Sequence, residues 1–188
     1  LKRGNWFHST MEVFFALPQE ERTRENLLKV SKEVTLTDDY KDFAKDKENQ
    51  EWYKRALKAY IGAWLDDAKK EKIATMYIMG QSKPGLELFV NGTLGNANRQ
   101  CLGFIDKIVE GENGLKVQDW KTGKKISNFN PNAKISTSNP FDYWRQQTFY
   151  AMLLEQLGAT VEETSLLFPC AETPTIIHVD HHNPKVRE

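Results

Sequence analysis

The sequence has only two cysteines and no long apolar run. Cys101 and Cys170 are too few for a disulfide framework, or for a zinc or iron–sulfur centre held by cysteines of this chain alone. No apolar stretch approaches the roughly 20 residues that a membrane-spanning helix needs, so we expect no membrane association. The low cysteine content favours a reducing, cytoplasmic setting.

The chain also lacks net charge. Its 26 Lys and Arg residues balance 26 Asp and Glu residues, which removes the simplest argument for nucleic-acid binding, a globally basic chain. The charge is nevertheless uneven, because the range 120–147 holds one acid and five basic residues, Lys121, Lys124, Lys125, Lys134 and Arg145. A local basic stripe attracts phosphate even in a neutral protein, although a solvated surface is the simpler interpretation.

Helix-like and strand-like segments follow one another in an order typical of the α/β or α+β group. Apolar periodicity predicts helices over 4–17, 48–70 and 141–157, the last closed by Gly158, and one or two short helices within 18–48. Strands are predicted over 86–91, 99–110, 115–121, 164–168 and 175–180. Residues 73–79 form a strand or a helix end, and 122–140 a polar loop. We expect one domain over 1–188, mainly helical in 1–72, with the sheet and a helix in 73–188.

The most informative segment is a predicted β-hairpin that carries two aspartates and a lysine. If its turn residues are 112 and 113, Asp106 lies directly opposite Asp119. If they are 113 and 114, the favoured Asn-Gly signal, Asp106 faces Lys121 instead. In either register the three side chains project from one face, because strand side chains alternate with period two.

These residue types suit a metal site. Two carboxylates about 5 Å apart on adjacent strands repel each other unless something compensates, and a divalent cation does so. Lys121 could then stabilise developing charge on a phosphate or help to deprotonate a water molecule. The alternative is a surface hairpin in which Lys121 simply offsets the two acids.

Together with two further motifs, the hairpin resembles RecB-type nucleases of the PD-(D/E)XK superfamily. The segments Gly-Phe-Ile-Asp-Lys-Ile (103–108) and Gln-Asp-Trp-Lys-Thr-Gly-Lys (118–124) look like motifs II and III of that family. Gly-Asn-Trp-Phe-His (4–8) resembles its G-x-x-x-H helix, and Gln-Gln-Thr-Phe-Tyr (146–150) resembles the Q-x-x-x-Y motif that follows the catalytic hairpin. The four motifs occur in the family's order.

The resemblance implies a central mixed β-sheet flanked by helices, with a restriction-endonuclease-like core, and phosphodiester hydrolysis in DNA. It implies that His8, Asp106 and Asp119 bind Mg²⁺ or Mn²⁺, helped by the backbone carbonyl of Trp120. Lys121 would be the catalytic lysine, acting with the two aspartates.

The resemblance also implies residues that hold the substrate. Gln146 and Tyr150, four apart on one helical face, would position the scissile strand or the lysine. Arg145 and Lys124 are candidates for DNA contact. Glu87 is a weaker candidate at a position that is often acidic in the family.

One departure from the family concerns cysteine. Relatives often carry four cysteines for an iron–sulfur cluster, whereas here only Cys170 lies near the place where the downstream group would begin. We therefore expect no cluster.

The expected function is that of a metal-dependent deoxyribonuclease, an exonuclease in DNA recombination, repair or phage- or CRISPR-type DNA processing. The expected context is a bacterial, phage or archaeal cell, with a helicase or recombination protein as a partner. Two alternatives stay open: a catalytically silent nucleic-acid-binding or interaction module, and the nuclease domain of a larger helicase–nuclease.

Some other residues with suitable chemistry are predicted to be structural. His178, His181 and His182 lie near the end of a strand and in a polar tail, which indicates surface positions rather than a metal site. Tyr143 and Trp144 could stack on unpaired bases, but we expect them in the core.

Overall fold

The computed structural model describes residues 2–94, 99–123 and 140–187. Its helices are α1 (Lys2–Phe15), α2 (Arg24–Thr35), α3 (Lys47–Ala68), α4 (Pro140–Gln156) and α5 (Pro184–Arg187). Its strands are β1 (Thr75–Ile78), β2 (Gln81–Pro84), β3 (Leu86–Leu94), β4 (Arg99–Glu110), β5 (Leu115–Trp120), β6 (Val161–Phe168) and β7 (Thr175–Val179). The three long predicted helices and the five predicted strands are confirmed, with small differences at their ends.

Local side-chain chemistry sets the ends of the helices. Thr23 precedes α2 and accepts a hydrogen bond at 3.2 Å from the backbone amide three residues on, and Asp46 does the same for α3 at 2.9 Å. After α4, Gly158 takes a φ of +86°, the left-handed conformation that glycine adopts most easily. The predicted C-cap is therefore confirmed.

The main sheet has five strands in the order β3-β4-β5-β6-β7. β4 runs antiparallel to β3 and to β5. The amide of Leu115 donates to Thr160 O and the amide of Lys121 to Leu167 O, each at 2.8 Å, so β5 and β6 run parallel. A mixed sheet with flanking helices was predicted, and it is confirmed.

Three elements differ from the sequence prediction. Of the two alternatives for residues 73–79, the structure has the strand, over Thr75–Ile78, and this strand pairs with β2, which was not predicted. β6 begins at Val161, three residues earlier than predicted, and the short helix α5 was not predicted either. Every position of β2 is exposed, so the strand has no apolar alternation from which it could be recognised.

The chain divides into two compact units. Unit 1 consists of Leu1–Lys72, Trp120–Lys124 and Leu167–Thr175, and unit 2 of Ile73–Asp119, Lys125–Leu166 and Ile176–Glu188. Among the described residues, no helix combines the length and the apolar character needed to cross a membrane.

Aromatic stacking and a buried cation hold unit 1 together. Trp6 of α1 stacks on Tyr53 of α3 with ring centroids 3.8 Å apart, and its Nε1 donates to Thr35 Oγ1 of α2 at 3.1 Å. Arg22 is buried, and its guanidinium donates to four backbone carbonyls, those of Phe15, Leu17, Ala68 and Glu71. These contacts join the first three helices and the residues that follow α3.

The core of unit 2 lies between α4 and the sheet. Two strand glycines allow α4 to approach closely, because a Cβ at Gly92 would lie 2.6 Å from Leu153 and one at Gly103 would lie 2.7 Å from the ring of Tyr150. Around these contacts the apolar core is formed by residues that include Leu88, Val90, Ile105, Ile108, Val117 and Leu154.

Candidate active site

The register of the β4–β5 hairpin places the two motif aspartates opposite each other. Lys107 pairs with Gln118, and the pairing continues to the turn at residues 111–114. Asp106 and Asp119 are the next positions on the two strands, so they face each other across the ladder. This is the register with turn residues 112 and 113. The alternative register, with Asp106 facing Lys121, is excluded.

A third carboxylate lies on the neighbouring strand. Glu87 of β3 falls between the pairs Leu86–Lys107 and Leu88–Ile105, which places it across from Asp106. One carboxylate oxygen of Glu87 lies within 4.8 Å of one of Asp106. The φ of Glu87 is +43°, a left-handed conformation that costs a non-glycine residue roughly 1–2 kcal/mol. Such strain is concentrated at functional sites, which supports a role for Glu87.

The charges of these three acids act on Tyr150 of α4. Burial raises the pKa of the Tyr150 hydroxyl, and the negative charges of Asp119, Asp106 and Glu87 raise it further, whereas the hydrogen bond with Gln146 lowers it. The hydroxyl therefore keeps its proton at neutral pH. Unit 2 thus places a protonated phenol near a row of three carboxylates on β3, β4 and β5.

In unit 1, the side chain of Trp120 is held in an aromatic cage. It is buried, and its indole contacts four rings at centroid distances from 5.6 to 6.3 Å, those of Phe7, Phe15, Tyr60 and Trp64. Its backbone carbonyl accepts a hydrogen bond from His8 Nε2 at 2.9 Å. Because Trp120 directly follows Asp119, this bond connects His8 to the residue next to a motif aspartate.

The same helix makes a second contact with the hairpin motif. A Cβ at Gly4 would lie only 2.9 Å from Thr122 Oγ1. The glycine therefore allows α1 to lie closer to the segment 121–123 than a residue with a side chain would allow. Gly4 and His8 are the two defining residues of the G-x-x-x-H motif. Within unit 1, this motif and the Lys-Thr-Gly segment therefore pack against each other.

The carboxylates of unit 2 suit a hard divalent cation. Glu87, Asp106 and Asp119 supply oxygen ligands, the type that Mg²⁺ prefers in proteins. In unit 1, the contact between His8 Nε2 and the Trp120 carbonyl oxygen is a hydrogen bond of 2.9 Å.

Lys121 is the first residue after β5. It is half-buried, and its backbone amide is anchored on Leu167 O of β6. It follows Asp119 by two residues, which is the spacing of the predicted Asp-x-Lys motif.

Three predicted substrate-binding residues line one pocket in unit 2. Arg145, Gln146 and Tyr150 contribute to an open pocket of about 300 Å³, together with Cys101, Leu102, Phe149 and Leu153. Gln146 Nε2 donates to the Tyr150 hydroxyl at 3.1 Å. Lys124, the fourth predicted residue, lies outside the described residues.

Comparison with known families identifies the relationship. The family model described as the PD-(D/E)XK nuclease superfamily matches residues 1–186. The chain belongs to the PD-(D/E)XK nuclease superfamily. Its membership suggests metal-dependent nuclease activity, with a nucleic acid as substrate and a divalent metal such as Mg²⁺. No curated protein gives a significant match to the chain.

Two glycines of this PD-(D/E)XK protein have a role that was not inferred from the sequence. Gly4 lies inside a helix and Gly103 inside a strand, positions at which glycine costs stability. Each allows a close contact, with Thr122 and with Tyr150 respectively. The unfavourable placement of both glycines was the signal that could have indicated this packing.

One histidine of this superfamily member was assigned wrongly. His181 is only 4% exposed, not a surface residue, and its Nε2 donates to Val161 O at 3.2 Å. Burial, and then the charge of His182, lower the pKa of His181. The error arose because the polar tail folds back onto β6, which local sequence does not indicate.

His181 also belongs to a cluster with Glu155 and His182, whose ligand atoms lie within 4.8 Å of one another. Arg187 Nη2 donates to both carboxylate oxygens of Glu155 at 2.9 Å, so the cluster is electrically balanced by an arginine. We assign it a structural role. His178 is exposed and Trp144 is buried, as predicted.

Proposed function

We propose that this protein is a Mg²⁺- or Mn²⁺-dependent nuclease that hydrolyses phosphodiester bonds in DNA as an exonuclease. The observation that carries the proposal is the row of three carboxylates, Glu87, Asp106 and Asp119, on three adjacent strands, with Lys121 two residues after the last of them. A row of like charges on neighbouring strands is destabilising. A bound divalent cation would offset this repulsion and would also explain why the three acids lie together.

The proposed metal ligands are His8, Asp106, Asp119 and the backbone carbonyl of Trp120, with Glu87 as an additional acidic group. A bound divalent ion lowers the pKa of its water and polarises the phosphorus centre. The aromatic cage around Trp120 fixes the carbonyl, and the close packing of α1 at Gly4 fixes the direction from which His8 approaches it.

The remaining proposed groups act on the substrate. Lys121 stabilises negative charge that develops on the scissile phosphate, or helps to deprotonate the attacking water. Tyr150 keeps its proton and can donate a hydrogen bond to a phosphate oxygen, with Gln146 fixing its orientation. Arg145 in the same pocket, and Lys124, supply positive charge for the backbone.

We further propose that the enzyme works without an iron–sulfur cluster. The chain has two cysteines, Cys101 and Cys170, whereas the cluster of the relatives is held by four. Its proposed setting is the cytoplasm of a bacterial, phage or archaeal system for DNA recombination, repair or processing, with a helicase or recombination protein as partner. The motif resemblance alone supports this setting.

Cleavage of end-labelled DNA tests the proposal. Single-stranded and duplex DNA are incubated with Mg²⁺, Mn²⁺ or EDTA, and wild type is compared with Asp119→Ala and Lys121→Ala. We expect metal-dependent cleavage that falls by roughly 10²–10³-fold or more in each variant. Lys116→Ala is the matched control, because Lys116 lies on β5, the strand that precedes Lys121, and forms an ion pair with Glu162.

The products and the binding data separate the alternatives. A ladder that grows from one labelled end indicates an exonuclease and gives its polarity. DNA binding without cleavage under every metal condition would instead favour a catalytically silent binding module. Equal losses in Lys116→Ala and Lys121→Ala would contradict the assigned role of Lys121.

A further inference from the structure

A pair of histidines lies beside a carboxylate near the end of α4, outside the candidate active site. Glu155, His181 and His182 each offer one ligand atom, and these three atoms all lie within 4.8 Å of one another. The two imidazole rings are neighbours, with centroids 4.1 Å apart. His181 is buried, Glu155 is half-buried and His182 is exposed, so the cluster is covered on one side and open to solvent on the other.

Hydrogen bonds hold the turn that carries the two histidines. The amide of His182 donates to Asp180 Oδ1 at 3.1 Å. Arg187 Nε donates to His181 O at 2.7 Å, while Arg187 Nη2 donates to both carboxylate oxygens of Glu155. One arginine therefore positions the turn and the carboxylate relative to each other before any ion is bound.

The contact with Val161 determines which nitrogen of His181 is able to bind a metal ion. Nε2 lies 3.2 Å from Val161 O, and because a carbonyl oxygen only accepts hydrogen bonds, Nε2 carries a proton. In the neutral ring Nδ1 then keeps its lone pair. A histidine that ligates a metal usually donates its other ring N–H to a carbonyl or a carboxylate, which is the arrangement of His181.

We propose that Nδ1 of His181, His182 and Glu155 form a Zn²⁺ site that ties the segment 180–187 to α4. Imidazole and carboxylate are ligands that Zn²⁺ accepts, whereas Mg²⁺ prefers oxygen ligands alone. Around a tetrahedral ion at about 2.0–2.1 Å, ligand atoms lie roughly 3.3 Å apart. Small rotations of the side chains therefore bring the three atoms onto one ion, and water takes the fourth position. The role of this ion is structural.

The ion pair with Arg187 is compatible with metal binding. A carboxylate has two oxygens and about four lone-pair positions, so Glu155 binds the ion through one oxygen and keeps the guanidinium on the other. The two histidines also line an open cavity of about 560 Å³, whose wall includes Glu163 and Asp180. A cation from solvent thus reaches the cluster past two acidic groups.

Zinc titration of the full chain tests the site. It is carried out in an Asp106→Asn background, which removes a carboxylate of the candidate active site, with a chromophoric chelator as competitor. We expect this parent protein to bind one Zn²⁺ ion, and the added substitution His182→Ala to weaken binding by at least roughly 10- to 100-fold. Excess Mg²⁺ should not displace the ion, because nitrogen ligands do not suit Mg²⁺.

The control is His178→Ala, because His178 is exposed, lines the same open cavity and pairs with Glu163 outside the cluster. It should leave the zinc affinity unchanged. An equal loss in the two histidine variants would assign the ion to the open cavity instead. Absence of zinc binding by the parent, or unchanged binding by His182→Ala, would overturn the site.

Imidazole ¹⁵N spectra of the parent protein check the ligand atoms without a substitution in the cluster. We expect Zn²⁺ to shift the Nδ1 resonance of His181 and to leave Nε2 protonated. Metal binding through Nε2, or an unchanged His181 spectrum, would contradict the proposed ligand set. The site does not depend on the proposed nuclease function, since zinc affinity and DNA cleavage are measured separately and either proposal can fail alone.

Discussion

The substitution Asp106→Asn tests the carboxylate row directly, because it removes the central charge of the three. Asp106 has a carboxylate on each side: an oxygen of Glu87 lies within 4.8 Å, and Asp119 occupies the opposing position on β5. Two unit charges about 5 Å apart repel each other by roughly 3 kcal/mol at an effective dielectric constant of 20. Nearby cations and hydrogen bonds offset part of this energy.

We therefore expect Asp106→Asn to raise the free energy of unfolding of the metal-free protein by about 1–3 kcal/mol. In a chain of this length each kilocalorie corresponds to roughly 2–4 °C in Tm. Mg²⁺ should stabilise wild type by about 2.7 kcal/mol when its concentration is 100 times Kd, and Asp106→Asn should lose that gain.

Calorimetric melting in EDTA and in excess Mg²⁺ gives both quantities. Glu110→Gln is the control, because it neutralises an exposed acid on the same strand and should change neither value by more than about 0.5 kcal/mol. A lower Tm for Asp106→Asn in EDTA would show that the carboxylate is stabilised by its surroundings, and full retention of the Mg²⁺ effect would exclude Asp106 as a ligand.

Three further predictions concern stability. Trp120→Ala should lower the free energy of unfolding by about 3–5 kcal/mol in urea titrations, because four rings lose their common partner; a loss below 1 kcal/mol would contradict the cage. Gln147→Met should raise it by about 1–2 kcal/mol, because both amide atoms are buried and have no hydrogen-bond partner among the described residues; a lower Tm would indicate a partner elsewhere in the chain. The pKa of His181 is lowered by burial and by His182, so its neutral form stabilises the fold above about pH 6.5, the unfolded value. That stability should disappear as pH falls through the folded pKa, and melting curves of His181→Gln should show a weaker acid dependence than wild type.

Much of the architecture could be predicted because the apolar patterns are strong. The helix α3 repeats apolar residues along one face over 22 residues, and β4 and β5 alternate around a Gly-rich turn. The partner of Asp106 across the hairpin could not be predicted uniquely, because the sequence was compatible with two registers. The favoured Asn-Gly turn signal pointed to the wrong one, whereas the hydrogen bond from the Gly111 amide to Gly114 O closes the turn one residue earlier.

What could not be predicted depends on tertiary contacts. The hydrogen bond from His8 to the Trp120 carbonyl joins residues 112 positions apart, and only the motif resemblance suggested that they were related. The burial of His181 depends on the packing of the tail on Val161. The left-handed backbone of Glu87 has no local signature, because nothing near it in the sequence requires a glycine-like conformation.

The left-handed backbone conformation of Glu87 lowers thermal stability at a position where the proposed function needs an acidic side chain. Glycine adopts a φ of +43° without the penalty that a side chain incurs, so laboratory evolution for thermal tolerance alone should enrich glycine at position 87. Selection that also requires nuclease activity should retain the acid. Libraries evolved under the two regimes would therefore diverge at this position, and their divergence would measure what the strained conformation contributes to turnover.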